Sequence, residues 1–414
     1  MTAPSARTDL DDLLGDEAVN HPARFYGRLR ASDPVHFNPR WNGWVLTSYA
    51  DVIAGFHDHA RLSSDRFAGP WGRDARAGGD GMAGVFDVIS RFFVWQDPPE
   101  HTRVRSYVAK AFTPRSVELL RPRVRTILES LMQELPRDEP IDFVRDFAFH
   151  VPVIVISEYL GVPSEARAEV KTWSEALGSV IFVKGDDSDR VARADRAVAG
   201  LVNLLRPIVR ARKVTPQDDL ISGMVHARDP ELGEALSEDE IISNAILMLF
   251  AGHETTMNLL ANGVVAFHEQ PAQWRLLQER PDLARSATEE ALRYDGPIRA
   301  MARWAREPLE IGGKQIATGD RVLLVQWAAN RDPMAFPDPD RFDIARTSNR
   351  HVAFGHGIHT CLGAALARME TQEAFGHLAT HLDGVEVVTQ DLRYTPTIVS
   401  RSLDELRVVL TSRR

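Results

Sequence analysis

The stretch from Ser237 to Gln270 constrains this chain more than any other. Ser237-Glu238-Asp239-Glu240 is a capping box, whose serine and glutamate side chains satisfy free N–H groups at a helix start. Pro271 closes the far end. Between them runs a helix of about 45–50 Å, at about 1.5 Å per residue. Ile241 to Phe250 is almost wholly apolar, so the helix must be buried and should cross the middle of the domain. Ser243, Asn244, His253 and Glu254 argue against a membrane span. At the centre stands Ala251-Gly252-His253-Glu254-Thr255-Thr256. An acid and a hydroxyl inside an apolar helix are costly unless partnered. Thr255 can back-bond to the Ala251 carbonyl and Gly252 weakens the helix locally, so a groove or bulge is expected there. Two readings stand at this level: a satisfied polar pair in the core, or groups placed for chemistry.

The second constraint is Phe354-Gly355-His356-Gly357-Ile358-His359-Thr360-Cys361-Leu362-Gly363, which leads into an apolar helix start. Gly355 and Gly357 allow a tight bend close to something flat or bulky. Cys361, the only cysteine, sits where helix N–H groups favour a thiolate, and so a metal ligand. A lone cysteine also suits a small buried apolar role. Zinc is a further reading, since His351, His356, His359 and Cys361 lie close together, but the paired ligands of structural zinc sites are missing. The whole loop resembles the haem-thiolate loop of the cytochrome P-450 superfamily, in which the cysteine is the axial iron ligand. Such a ligand favours O–O cleavage.

Charge and cysteine usage narrow the class. A net charge of −9 argues against nucleic acid or an anionic membrane as a partner for the whole surface. One cysteine excludes an intrachain disulfide and fits a reducing cytosol. Met1 to Asp12 is short and polar, without an apolar leader or anchor. A cytoplasmic, soluble, bacterial-style protein is expected, with 1–414 as a single domain and 1–20 as a flexible N-terminus.

Along the chain, Pro34–Phe37 and Trp44–Thr47 read as a β-hairpin, and Ser48 caps the helix that follows. Residues 67–84 are rich in Gly, Pro, Arg and Asp and read as a mobile loop. With Phe67, Trp71, Phe86, Phe92 and Phe93 it suits a lid over an apolar pocket, or an ordinary surface loop with tucked rings. Asp97-Pro98-Pro99 is expected to start a helix, with Asp97 as its cap. His101 and Arg105 then share one face, as a carboxylate-binding pair or a solvated basic face. Ser116–Glu134 is expected as one helix, and 163–182 and 190–213 as an antiparallel pair. Leu177 and Ile181 there read as core or pocket roof.

The resemblance spans about Trp41 to Val409 and implies the rest. The fold is mostly α with small, mainly antiparallel β-sheets. Haem b (iron protoporphyrin IX) lies between the Glu254 helix and the Cys361 loop, touching Ala251, Phe354 and Gly355. His101, Arg105, Arg303 and His359 hold its propionates. Glu254, in place of the commoner Asp, and Thr255 form the oxygen-activating pair. Glu290-Ala291-Leu292-Arg293 is a buried structural pair joined by Arg341. A substrate pocket would draw on Phe86, Phe93, Leu177, Ile181, Leu249, Ile298, Arg299 and Ile398. Arg299 either points inward, toward a polar group on the substrate, or outward. The implied activity is monooxygenation of an apolar organic molecule by dioxygen in a monomeric enzyme. Electrons come from a separate ferredoxin and its reductase, docking near Arg103, Lys110 and Arg368. Peroxide-driven hydroxylation and a haem sensor are the competing roles; neither calls for Glu254 and Thr255 near the iron.

Overall fold

The structure is a computed structural model that describes residues 9–67, 83–182, 189–228 and 233–412. The elements that position the site are, in chain order, α1 (Asp16–Asn20), α2 (Pro22–Ser32), β1 (Val35–Asn38), β2 (Gly43–Leu46), α3 (Tyr49–His57), β3 (Leu62–Ser63), α4 (Glu100–Ala111), α5 (Pro114–Glu118), α6 (Arg121–Glu134), α7 (His150–Tyr159), α8 (Arg167–Ile181), α9 (Arg190–Val214), α10 (Glu238–Glu269), α11 (Ala284–Asp295), β4 (Met301–Ala305), β5 (Arg321–Leu324) and α12 (Ala364–His381).

Helix α10 is the axis of the molecule. Its capping box is formed, with the Ser237 N–H donating to Glu240 Oε2 at 2.8 Å and the Glu240 N–H to Ser237 Oγ at 3.2 Å. Helices α7, α8, α9, α11 and α12 pack around it. Its buried amides are used as ties: Asn244 accepts from the Phe93 N–H at 3.2 Å and donates to the Arg91 carbonyl at 3.1 Å. Asn262 donates to the carbonyls of Asp295 and Arg401. Each tie offsets the cost of burying a polar side chain. No bulge forms at Gly252; the helix stays α-helical there, and the missing side chain instead lets Ile156 of α7 approach to within 3.1 Å of where a Cβ would stand.

The sheets are small. The five-stranded one runs β1-β2-β5-β4-β3. The expected hairpin pairs Val35 with Leu46 through Asn38 with Gly43, and Ser48 Oγ accepts from the Asp51 N–H. One pairing departs from the antiparallel expectation: β2 and β5 run parallel, Trp44 beside Val322. They are brought together from distant parts of the chain, so no hairpin turn dictates their direction. A three-stranded sheet joins Pro140–Asp142, Arg407–Ser412 and Leu382–Val387.

Several helix expectations need correction. The segment read as one helix from Ser116 is two, α5 and α6, split at Leu119–Leu120; Thr113 and Ser116 close a capping box on the first, and Pro122 sits in the first turn of the second. Asp97 does not cap α4. Its carboxylate accepts from the Ser64 N–H at 2.9 Å, from the Ser63 hydroxyl and from Arg306. Residues 9–20 are not a loose tail: α1 buries Ala18 and Val19, whose carbonyls accept from Arg299 and Arg401. Helices α8 and α9 do pair, with the Trp173 ring against Gly200. The lid expected over 67–84 falls mostly on 68–82, outside the described residues; Phe67 at its start packs edge-on against Phe86 and Trp95.

Candidate functional site

The Cys361 loop is held by its own backbone. The Cys361 N–H donates to the Phe354 carbonyl at 2.9 Å, and Gly355 and Gly357 sit at φ +67° and +73°. A Cβ on Gly357 would stand 2.6 Å from the Phe56 carbonyl oxygen, so only glycine fits there. Arg368 lies over the Phe354 ring at 4.5 Å and donates to Glu289 at 2.7 and 2.9 Å, bracing the loop from behind.

Cys361 lies deep in the protein and yet has open surface, as does Ala251 in the middle of α10. Residues enclosed by protein but still accessible line an internal space. Thr255, one turn beyond Ala251 on the same face, is half-buried, whereas Phe250, His253, Glu254 and Thr256 are buried. The Thr255 hydroxyl donates to the Ala251 carbonyl at 2.8 Å, as expected. Burial pushes the Cys361 thiol up; the backbone N–H groups of Gly363 and Ala364 and the charges of Arg105 and Arg368 pull it back.

Four basic side chains from three elements converge beside the loop. The rings of His101 (α4) and His359 are 4.1 Å apart between centroids. Arg105 donates to the Thr360 carbonyl at 2.6 Å, and Arg303 on β4 lies over the Phe56 ring. Both nitrogens of both histidines are buried without a hydrogen-bond partner. Burial and the Arg105 charge push His101 down to about 4. Burial, with His101, Arg303 and Arg105 beside it, pushes His359 to about 2. Arg303 falls to about 10 through burial. Asp97 acts on His101 and Arg303 but is already committed to Ser63, Ser64 and Arg306. Orphaned donors and desolvated cations in one cluster are what an anionic group would repay. The cluster therefore fits a cofactor that carries carboxylates, beside a thiol that could ligate its metal. Among the described residues no three His, Cys, Asp or Glu side chains group to hold a bare metal ion, which leaves the zinc reading without support.

Other expected site residues lie elsewhere. Arg299 is 1% exposed. It donates to the carbonyls of Thr397 at 2.9 Å and Ala18 at 2.6 Å, and to the Tyr26 hydroxyl at 3.2 Å. It ties α1 and the C-terminal turn to the core and is a structural residue. Leu177 and Leu249 have no open surface and Phe93 has 2%, so they pack as core; the Phe93 ring backs His101 and Arg105. Ile298 and Ile398 are partly exposed, and Ile181 retains 8%. Phe86 packs on Phe67. The buried Glu290–Arg293 pair is present at 2.8 Å, but its third member is Arg346, not Arg341. Arg341 is turned outward and contributes only its carbonyl to Arg293. Arg103 and Arg368 are ion-paired to Glu240 and Glu289, leaving Lys110 as the exposed cation of the expected docking trio. Sequence reasoning missed Glu370 on α12, a fully buried acid pushed up to about 8, whose only signal was an acid among apolar residues.

Known proteins are similar to this chain over most of its length. The model of the family described as Cytochrome P450 matches residues 86–383. The chain is 38% identical over 418 residues to the vitamin D(3) 25-hydroxylase of Pseudonocardia autotrophica, with both chains covered in full. It is 36% identical to the cytochrome P450 monooxygenase PikC of Streptomyces venezuelae, over 95% of this chain and 92% of that one. Its fold matches the crystal structure of P450BioI in complex with hexadec-9Z-enoic acid ligated acyl carrier protein, with a TM-score of 0.87, 34% identity, and coverage of 97% and 100%.

Proposed function

The chain belongs to the cytochrome P450 family, and from that premise we propose how its own residues divide the work of a haem-thiolate monooxygenase acting on a small organic molecule. When bound, haem b supplies the iron at which dioxygen is reduced and split, one oxygen atom passing to the substrate. Cys361 Sγ would ligate the iron. His101, Arg105, Arg303 and His359 hold the propionates; charge-assisted bonds to such buried groups are each worth about 1.5–3 kcal/mol. Bound propionates would supply the acceptors that the ring N–H groups of His101 and His359 lack, and a counter-charge for the desolvated Arg105 and Arg303.

Glu254 and Thr255 carry protons to the reacting oxygen. Thr255 holds its proton at Oγ1, resting on the Ala251 carbonyl at the edge of the internal space. Glu254, buried and one residue earlier, cycles a proton between solvent and that space. The observation that carries this reading is the opening at Ala251 and Thr255, with His253, Glu254 and Thr256 buried beside them. Thr255→Ala should keep consuming reductant but divert it to hydrogen peroxide, whereas Glu254→Gln should slow turnover by about 10²-fold, the usual contribution of acid–base catalysis. Product formed per reductant oxidised is the measurement. Wild-type coupling in the first variant together with a wild-type rate in the second would overturn the assignment.

Ile181, Ile298 and Ile398 suit an apolar substrate, consistent with relatives named for vitamin D(3) hydroxylation and for a fatty acyl group on its carrier protein. In this reading its electrons come from a separate ferredoxin and reductase. Lys110, on the same helix as Arg105, is one contact for that donor.

A further inference from the structure

Helix α8 crosses α10 at the acid, and it does so with a glycine. A Cβ on Gly178 would stand 3.1 Å from Glu254 Oε2 and 3.1 Å from the Phe250 ring edge. Both distances are tighter than ordinary van der Waals contact, so a Cβ at 178 would require the carboxylate and the ring edge to give by a few tenths of an ångström. Gly178 is buried in the last turn of α8, with an ordinary right-handed helical backbone that alanine adopts more readily than glycine. Neither a turn nor a positive φ explains it. One turn earlier on the same face, the buried Ser174 hydroxyl has no hydrogen-bond partner, so the wall beside the acid is polar as well as recessed.

We infer that Gly178 is a positioning residue for Glu254: the missing side chain forms a berth on α8 matched to the length of glutamate in the acid position. Aspartate, one methylene shorter, would leave the berth unfilled. Alanine at 178 would shift the glutamate carboxylate within it by a few tenths of an ångström. The two positions therefore act as one unit, and the setting of α8 against α10 places the acid. This inference rests on the relay role proposed for Glu254, and the berth itself can be tested without it.

The test is a double-mutant cycle on the haem-loaded protein with Gly178→Ala and Glu254→Asp, singly and together. The first readout is the urea unfolding midpoint. Gly178→Ala should be less favourable in the wild-type background than in the Glu254→Asp background. The contact with the Phe250 edge is common to both backgrounds and cancels. Equal midpoint shifts in the two backgrounds would overturn the berth. The second readout is the pH profile of reductant consumption under dioxygen, with a surrogate ferredoxin and its reductase. Each single variant should slow consumption several-fold and displace the profile, and the double variant should recover part of the loss, exceeding the product of the two single effects. Coupled midpoints with an unmoved pH profile in all three variants would keep the berth but overturn both its positioning role and the relay reading. Coupled midpoints with profile shifts that simply multiply would overturn the positioning role alone.

Discussion

Glu370 gives the sharpest quantitative expectation. It is 1% exposed on α12, neither carboxyl oxygen has a hydrogen bond of good geometry, and the Thr256 hydroxyl pulls its affinity for a proton down only slightly against burial, which raises it to about 8. Below the ordinary glutamate value both the folded and the unfolded chain hold the proton, so the site costs nothing. As pH rises toward 8 the unfolded chain releases the proton and the folded chain keeps it, so stability falls at about 1.4 kcal/mol per pH unit. Above 8 both forms are ionised and the loss stops growing. Glu370→Gln keeps the shape and removes the titration. Relative to wild type it should be neutral near pH 4.5, more stable by about 3 kcal/mol at pH 7, and by about 4–5 kcal/mol at pH 8. For a chain of this length, about 3 kcal/mol corresponds to a Tm gain of about 3 °C. Urea unfolding of both proteins at pH 5 and pH 8, each saturated with haem, is the assay. Parallel stability–pH curves would refute the claim that Glu370 is held protonated.

Cys361→Ser should abolish the thiolate spectrum of the reduced carbon monoxide complex; an unchanged spectrum would falsify the ligand assignment. Arg346→Ala removes one charged partner from the fully buried Glu290, which keeps Arg293, and should cost about 1.5–3 kcal/mol, whereas Arg341→Ala, which leaves the backbone carbonyl in place, should be close to neutral in the same denaturation assay. Arg299→Met should lower stability without discriminating between acidic and neutral ligands in optical titrations; a selective loss of acidic ligands would return Arg299 to the substrate pocket.

Local signals were legible in the sequence because their meaning is contained in a few adjacent residues. The capping box at Ser237 and Glu240, the helix cap at Ser48, the two glycines before Cys361, and the back-bond from Thr255 to Ala251 each depend on backbone geometry within a turn or a short loop. The sequence by itself therefore determined the central helix, the glycine-bent loop of Cys361 and the family, and the resemblance picked out His101, Arg105, Arg303 and His359, which the fold brings together beside that loop. What it left open depended on partners far along the chain. Arg299 is decided by the carbonyl of Ala18, 281 positions away, and the choice of Arg346 over Arg341 by how residues 337–349 fold back over Glu290. Leu177 and Leu249 look like pocket residues by type and period, but whether an apolar side chain meets a cavity or its neighbours is a matter of packing. The berth at Gly178 is the same kind of fact: a glycine in a helix carries no message in one dimension, and acquires one only where another helix sets a carboxylate against it.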